Sequence, residues 1–189
     1  LRGRTALVAG PGLGGGIADI EGDMADWLEA LWRDHALPMV FDADALGAAV
    51  PVSRTDRVLT PHPGEAGRLL GCSAADVQRD RFAAARTLAD RGVALLKGRH
   101  TLVARAGAPV SVNPTGSPTL ATGGSGDVLA GVIGALLARG LSGVDAARLG
   151  AFVHGRAGEL LARDGPEGWT ASHVAAAIPQ AVGELLGEP

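Results

Sequence analysis

The sequence predicts an α/β domain in which a mostly parallel sheet is covered by helices on both faces. Three observations carry that prediction. Short apolar runs alternate with longer segments of helical period, the pattern of repeated strand and helix units. The runs are polar only at their ends, as expected of strands buried on both faces. Loops rich in glycine, proline or acid follow them at 10–16, 42–44, 61–65 and 97–101. Ligands bind outside the carboxyl ends of strands in such sheets. With 189 residues the chain fits one domain over 1–189 and can bury a core.

Taken in order, Thr5 to Ala9 reads as a strand ending in the turn Gly10-Pro-Gly-Leu-Gly-Gly-Gly16. A helix follows over about Gly22 to His35, with Met24, Trp27, Leu28 and Leu31 on the face expected to pack on the sheet. Pro38 to Asp42 and Arg57 to Thr60 are the next strands, the second leading into Pro61-His-Pro-Gly-Glu65 and a helix. Ala74 to Arg91 reads as one long helix and Val93 to Lys97 as a strand. Thr101 to Arg105 and Pro109 to Val112 form a hairpin at the sheet edge. Three helices close the chain at about Gly126 to Arg139, Asp145 to Ala162 and Ala171 to Leu186, and Pro179 should kink or restart the last.

Composition narrows the function classes. Net charge is −3 and aromatics make up only 3% with no Tyr, so neither a basic nucleic-acid surface nor stacking platforms are indicated. Nucleic acid is therefore not an expected partner. Cys72 is the one cysteine, which excludes an intrachain disulfide and fits a reducing, cytoplasmic compartment. It reads as small core filling. His35, His62, His100, His154 and His173 show no paired metal-ligand spacing. The longest apolar run, Val128 to Ala138, contains two glycines and falls short of the ~20 residues of a membrane helix, and the start lacks the form of a signal peptide.

The most informative stretch is Gly116 to Gly131, where Gly124-Ser-Gly-Asp127 opens an apolar helix. Unpaired N–H groups of Gly124, Ser125 and Gly126 would face an anion at the helix start. Asp127 beside that anion can accept a proton from an attacking hydroxyl. A glycine loop with an acidic cap explains the same residues without function. Lys97-Gly-Arg-His-Thr101 can surround a nucleotide phosphate, although Lys and Gly are ordinary turn residues. In His62-Pro-Gly-Glu65, His62 can orient a polar ligand and Glu65 can hold a hydrated cation; a rigid turn with Glu65 at a helix start is the equal alternative. Asp42 and Asp44 suit a metal pair or a helix cap, and the cap suits Asp44 better.

Five segments together carry a resemblance: Val8-Ala-Gly-Pro-Gly-Leu-Gly14, Asp42-Ala-Asp-Ala-Leu46, Leu59-Thr-Pro-His-Pro-Gly-Glu65, Lys97-Gly-x-x-Thr101 and Asn113-x-Thr-Gly-x-Pro-x-x-Ala-Thr-Gly-Gly-x-Gly-Asp-Val-Leu129. In order and spacing the chain resembles the ADP-dependent NAD(P)H-hydrate dehydratases of the ribokinase-like superfamily. The resemblance implies repair of nicotinamide cofactors that have added water across a ring double bond. ADP, or ATP as alternative donor, would phosphorylate the ring hydroxyl, and elimination of phosphate would return NADH or NADPH with AMP and phosphate. It implies Asp127 as base and substrate contact, and Gly124, Ser125 and Gly126 as the anion hole. Lys97, Gly98, Arg99, His100, Thr101 and Gly126 would contact the AMP part, and Gly12, Gly14 and His62 the NADH-hydrate or NADPH-hydrate. Glu65 would stand near Mg2+, directly or through water, and a homo-tetramer is the implied assembly.

The chain departs from the family pattern in three ways. Ser125 replaces the commoner Thr, and Gly47 and Ser117 stand where Asn is usual. The family also carries sequence ahead of the Gly-Pro-Gly-Leu-Gly strand, in many bacteria including an epimerase domain, so the resemblance implies a domain lacking its amino-terminal segment. Two other readings fit the motifs less fully. One is a ribokinase-like kinase of a vitamin precursor, and the other a nucleotide-binding module without turnover.

Overall fold

The computed structural model describes residues 2–14 and 22–187. Residues 15–21, and with them the end of the predicted 10–16 turn, lie outside the described residues. Parallel strands β1 (Leu7–Ala9), β2 (Met39–Phe41), β3 (Arg57–Leu59) and β4 (Val93–Leu96) are followed by antiparallel β5 (Leu102–Ala104) and β6 (Ser111–Val112). The strands lie in the sheet in chain order. The mostly parallel sheet and the edge hairpin are as expected.

A parallel sheet that advances strand by strand in one direction puts its crossovers on one face. That face carries α1 (Asp23–Asp34), α2 (Pro63–Leu70), α3 (Ala74–Arg79) and α4 (Arg81–Leu88). After the hairpin, α5 (Ser125–Ala138) and α6 (Gly143–Asp164) cover the other face, and α7 (Ala171–Leu186) packs outside α6. Strand side chains alternate between the layers: Met39 and Phe41 point into the first core, Val40 into the second. Both faces being apolar, the period of two is hidden inside an unbroken apolar run.

Buried Arg57 joins β3 to the end of α1. Its guanidinium donates to the carbonyl oxygens of Trp32, His35 and Leu37, the last at 2.8 Å. Carbonyls at a helix end lack intrahelical donors, so a buried cation there is well matched. Burial pulls the Arg57 pKa down, and the neighbouring Asp56 carboxylate opposes that shift.

Several local expectations are corrected. On α1 the buried side chains are Leu28, Leu31 and Trp32, while Met24 and Trp27 are exposed. The helix is rotated about its axis relative to the expected face, which lets the Trp32 indole donate to Val50 O at 2.9 Å and stack near Phe41. The predicted helix over 74–91 breaks at Asp80, whose side chain accepts from Ala83 N and caps α4. Cys72 is exposed in the connection after α2. Helix α7 does not restart at Pro179 and continues to Leu186. No helix among the described residues is long and apolar enough to cross a membrane.

Candidate active site

The carboxyl ends of the parallel strands meet closely. Gly10, with φ 131°, follows β1, and a Cβ there would fall 1.6 Å from Asp42 O. Only glycine permits that approach. It sets Asp42, fully buried after β2, so that its carboxylate accepts from Lys97 Nζ at 2.8 Å, across the intervening β3. Lys97 Nζ is also 3.7 Å from Glu65 Oε2. A Cβ on Gly126 would lie 3.2 Å from Lys97 Nζ and 3.6 Å from Asp42 Oδ2, so the start of α5 abuts the same pair. The two non-glycine residues with positive φ among those described, Ala43 and His100, stand in the loops after β2 and β4. Such conformations cluster at functional sites.

Asp42 and Asp44 do different work from either sequence reading. Asp42 forms the ion pair and its side chain caps no helix. Asp44 lies within the 3-10 turn 43–48, and its Oδ2 accepts from Gly14 N at 3.0 Å, which ties down the exposed turn containing Gly12 and Gly14.

His62 and Glu65 form a capping box on α2. His62 Nδ1 accepts from Gly64 N at 3.0 Å and Glu65 N at 3.2 Å, and Glu65 Oε2 accepts from His62 N at 2.7 Å. The ring proton therefore sits on Nε2, 3.4 Å from Glu65 Oε1. His62 keeps a half-exposed ring in a fixed orientation, whereas Glu65 is buried. The described residues contain no group of three or more His, Cys, Asp or Glu able to hold a metal.

Helix α5 is preceded by Gly124 as its N-terminal cap residue, whose φ of 80° admits glycine without strain. Its first turn differs from the expected triple of open donors. Ser125 N–H is taken by Thr122 O at 3.2 Å and Asp127 N–H by Gly124 O at 3.1 Å. The N–H groups of Gly124 and Gly126 meet no acceptor among the described residues. Ser125 thus offers its hydroxyl rather than its amide. The exposed Asp127 carboxylate makes no hydrogen bond or ion pair among the described residues.

Beside this helix start is a cavity of about 690 Å³, within the range of ligand pockets. Residues 97–101 line one side, 113–118 another, and Ser125, Gly126 and Leu129 its floor. All members of the Lys97–Thr101 loop therefore stand at one cavity with Ser125 and Gly126. Gly12, Gly14, His62, Glu65, Gly124 and Asp127 do not line it. Arg81 on α4, unremarked in the sequence, donates to Arg99 O and, at 3.3 Å, to Leu96 O, strapping the loop from below. Buried Asn113 fastens the opposite wall, donating to Thr115 O and Ala151 O. His154, also without a sequence signal beyond its ring, is buried in the cavity wall against Ser125.

The NAD(P)H-hydrate dehydratase family model matches residues 1–180. The chain belongs to that family. The NAD(P)H-hydrate dehydratase relatives include the bifunctional NAD(P)H-hydrate repair enzyme Nnr of Coxiella burnetii, 45% identical over 170 residues that make up 86% of this chain and 33% of that one. The ADP-dependent (S)-NAD(P)H-hydrate dehydratase of Neisseria meningitidis is 42% identical, over 83% of this chain and 55% of that one. The chain thus spans about a third to about half the length of these relatives. The crystal structure of the ADP/ATP-dependent NAD(P)H-hydrate dehydratase of Bacillus subtilis, co-crystallised with ATP/Mg2+ and soaked with CoA, superposes with a TM-score of 0.84. It is 28% identical and covered over 68% of its length by 97% of this chain. The fold is ribokinase-like, as the motifs implied, and a ribokinase-like protein of Enterococcus faecalis superposes with a TM-score of 0.73 at 22% identity.

Proposed function

We propose that this protein carries out ADP-dependent dehydration of hydrated NADH or NADPH. The observation that carries the reading is the start of α5, where the Asp127 carboxylate, without a partner among the described residues, adjoins the open N–H groups of Gly124 and Gly126 and follows directly on Ser125 and Gly126, which line a nucleotide-sized cavity. Membership of the NAD(P)H-hydrate dehydratase family supports it. So does the name of the Neisseria meningitidis relative, an ADP-dependent enzyme.

In this reading Asp127 accepts the proton of the ring hydroxyl as it attacks phosphorus. Gly124 N–H, Gly126 N–H and the Ser125 hydroxyl hold the phosphoryl oxygens, where the helix dipole adds to their attraction. The Lys97–Thr101 loop and the 113–118 wall hold the AMP portion. His62 and Gly14, positioned by the α2 cap and by Asp44, contact the hydrated dinucleotide. ADP supplies the phosphoryl group, and the phosphate so installed leaves more readily than hydroxide, returning the reduced cofactor with AMP and phosphate. Mg2+ is commonly held by substrate phosphates and one or two carboxylates. Glu65, largely used by its cap, would act on the ion through water.

The test is to incubate NADH-hydrate with ADP or ATP and Mg2+ and follow recovery of NADH absorbance. Recovery with AMP as product is expected from ADP. Consumption of nucleotide with a stable phosphorylated product, and no NADH, would replace this reading with a vitamin-precursor kinase.

A further inference from the structure

His154 lies on α6, 29 residues from Ser125 in sequence, yet its Nε2 is 3.0 Å from Ser125 O and 3.1 Å from Ser125 Oγ. A carbonyl oxygen can only accept, so Nε2 carries the ring hydrogen. That N–H is shared between the carbonyl and the hydroxyl oxygen. Ser125 Oγ makes no other hydrogen bond among the described residues, and its amide is already spent on Thr122 O. Both side chains are buried and both line the cavity. Burial keeps the imidazole neutral, with its pKa lowered to about 4, and the Lys97 charge acts in the same direction.

We infer that His154 is a positioning residue for phosphoryl transfer: its Nε2–H occupies an acceptor site on Ser125 Oγ and so leaves the Ser125 hydroxyl hydrogen to donate to the phosphoryl group at the start of α5. The inference rests on the phosphoryl-transfer reading of this site. A neutral imidazole with this tautomer can only donate to the hydroxyl oxygen, so the hydroxyl hydrogen must point away from the ring. In that reading the group served is the terminal phosphate of a nucleoside diphosphate, which AMP lacks.

That difference provides the test. ADP and AMP affinities are measured by calorimetry for the wild-type protein and for His154→Leu, His154→Gln, Ser125→Ala and the His154→Leu/Ser125→Ala double variant, alongside NADH recovery from NADH-hydrate. His154→Leu should weaken ADP about tenfold and AMP less than about twofold, the worth of roughly one hydrogen bond to a charged group. His154→Gln, which can still donate to Ser125, should restore most of the loss. The double variant should lose no more than Ser125→Ala alone, because both changes remove the same contact. Equal losses for ADP and AMP, no rescue by Gln, or multiplying losses in the double variant would each overturn the role of His154. Absence of NADH recovery in a wild-type protein that binds ADP more tightly than AMP would overturn the dehydratase reading alone. A wild-type protein that binds neither nucleotide overturns both.

Discussion

Lys97 Nζ donates to Asp42 Oδ1 at 2.8 Å, joining the ends of β4 and β2 over the top of β3. The acid is almost wholly enclosed and the ammonium one-fifth exposed. Removing one partner from such a pair leaves an uncompensated buried charge, which is costlier than losing the pair altogether. Lys97→Met should therefore destabilise the fold by about 3 kcal/mol, while Asp42→Asn with Lys97→Met should lose less than the sum of the single changes. Urea unfolding of the three variants measures this. A double variant as unstable as the two single losses added together would show that the charges are not coupled.

A second prediction concerns how Asp42 reaches that position. At Gly10 an added methyl would fall on Asp42 O, and the positive φ disfavours any side chain. Gly10→Ala should cost more than about 2 kcal/mol in urea unfolding, whereas Gly12→Ala, which meets nothing within 4 Å among the described residues, should carry mainly the strain of its own φ of 76°. Similar losses at both positions would remove the close approach as the cause.

What the sequence makes legible follows from how each residue is constrained. Strands β2, β3 and β4 are readable because both their faces are covered, so burial appears as uninterrupted apolar runs such as Val93 to Leu96. The site loops are readable because Gly10, Pro61, Gly98 and Gly124 punctuate the strand and helix boundaries. Facing is less readable: whether Trp27 or Trp32 is buried depends on the rotation of α1 against the sheet, which local periodicity leaves loose. Least readable are long-range pairings. Lys97 looks like a phosphate ligand in a turn, and only the register of β2 through β4 brings Asp42, 55 residues away, to its ammonium. His154 sits amid alanines and glycines on α6, with no local hint that it faces Ser125. The loop 61–65 reads equally as a ligand site or as a rigid turn with Glu65 at a helix start; that His62 itself is the cap has no signal in the sequence, and the cap leaves the exposed edge of the His62 ring able to meet a ligand as well.

Acid should act on stability through His154. Its pKa is lowered to about 4, first by burial, while in the unfolded chain it titrates near the ordinary 6.5. Between these values the unfolded state binds the extra proton, so stability is full above pH 6.5, falls as pH drops through that window, and levels once the folded ring is also protonated. The loss by pH 4.5 should be about 2–3 kcal/mol from this group. His154→Gln has no such titration and should lose correspondingly less between pH 7.5 and 4.5 in urea unfolding. Parallel curves for the two proteins would exclude the histidine as the source.

Among the described residues the exposed Asp127 carboxylate makes no hydrogen bond or ion pair, which separates its proposed chemistry from stability. Asp127→Asn keeps the shape of the side chain and removes the base, so NADH recovery should fall at least about a hundredfold, the usual scale for losing a positioned general base. The stability change should stay within about 1 kcal/mol, the worth of an acid in the first turn of a helix. ADP affinity should hold or rise, because a negative charge beside the phosphates has been removed. Kinetics, urea unfolding and calorimetry on the one variant give the three readings. An active Asp127→Asn protein would move the base elsewhere; an inactive one with a much lower unfolding midpoint would mean that Asp127 has a structural role its lack of partners does not reveal.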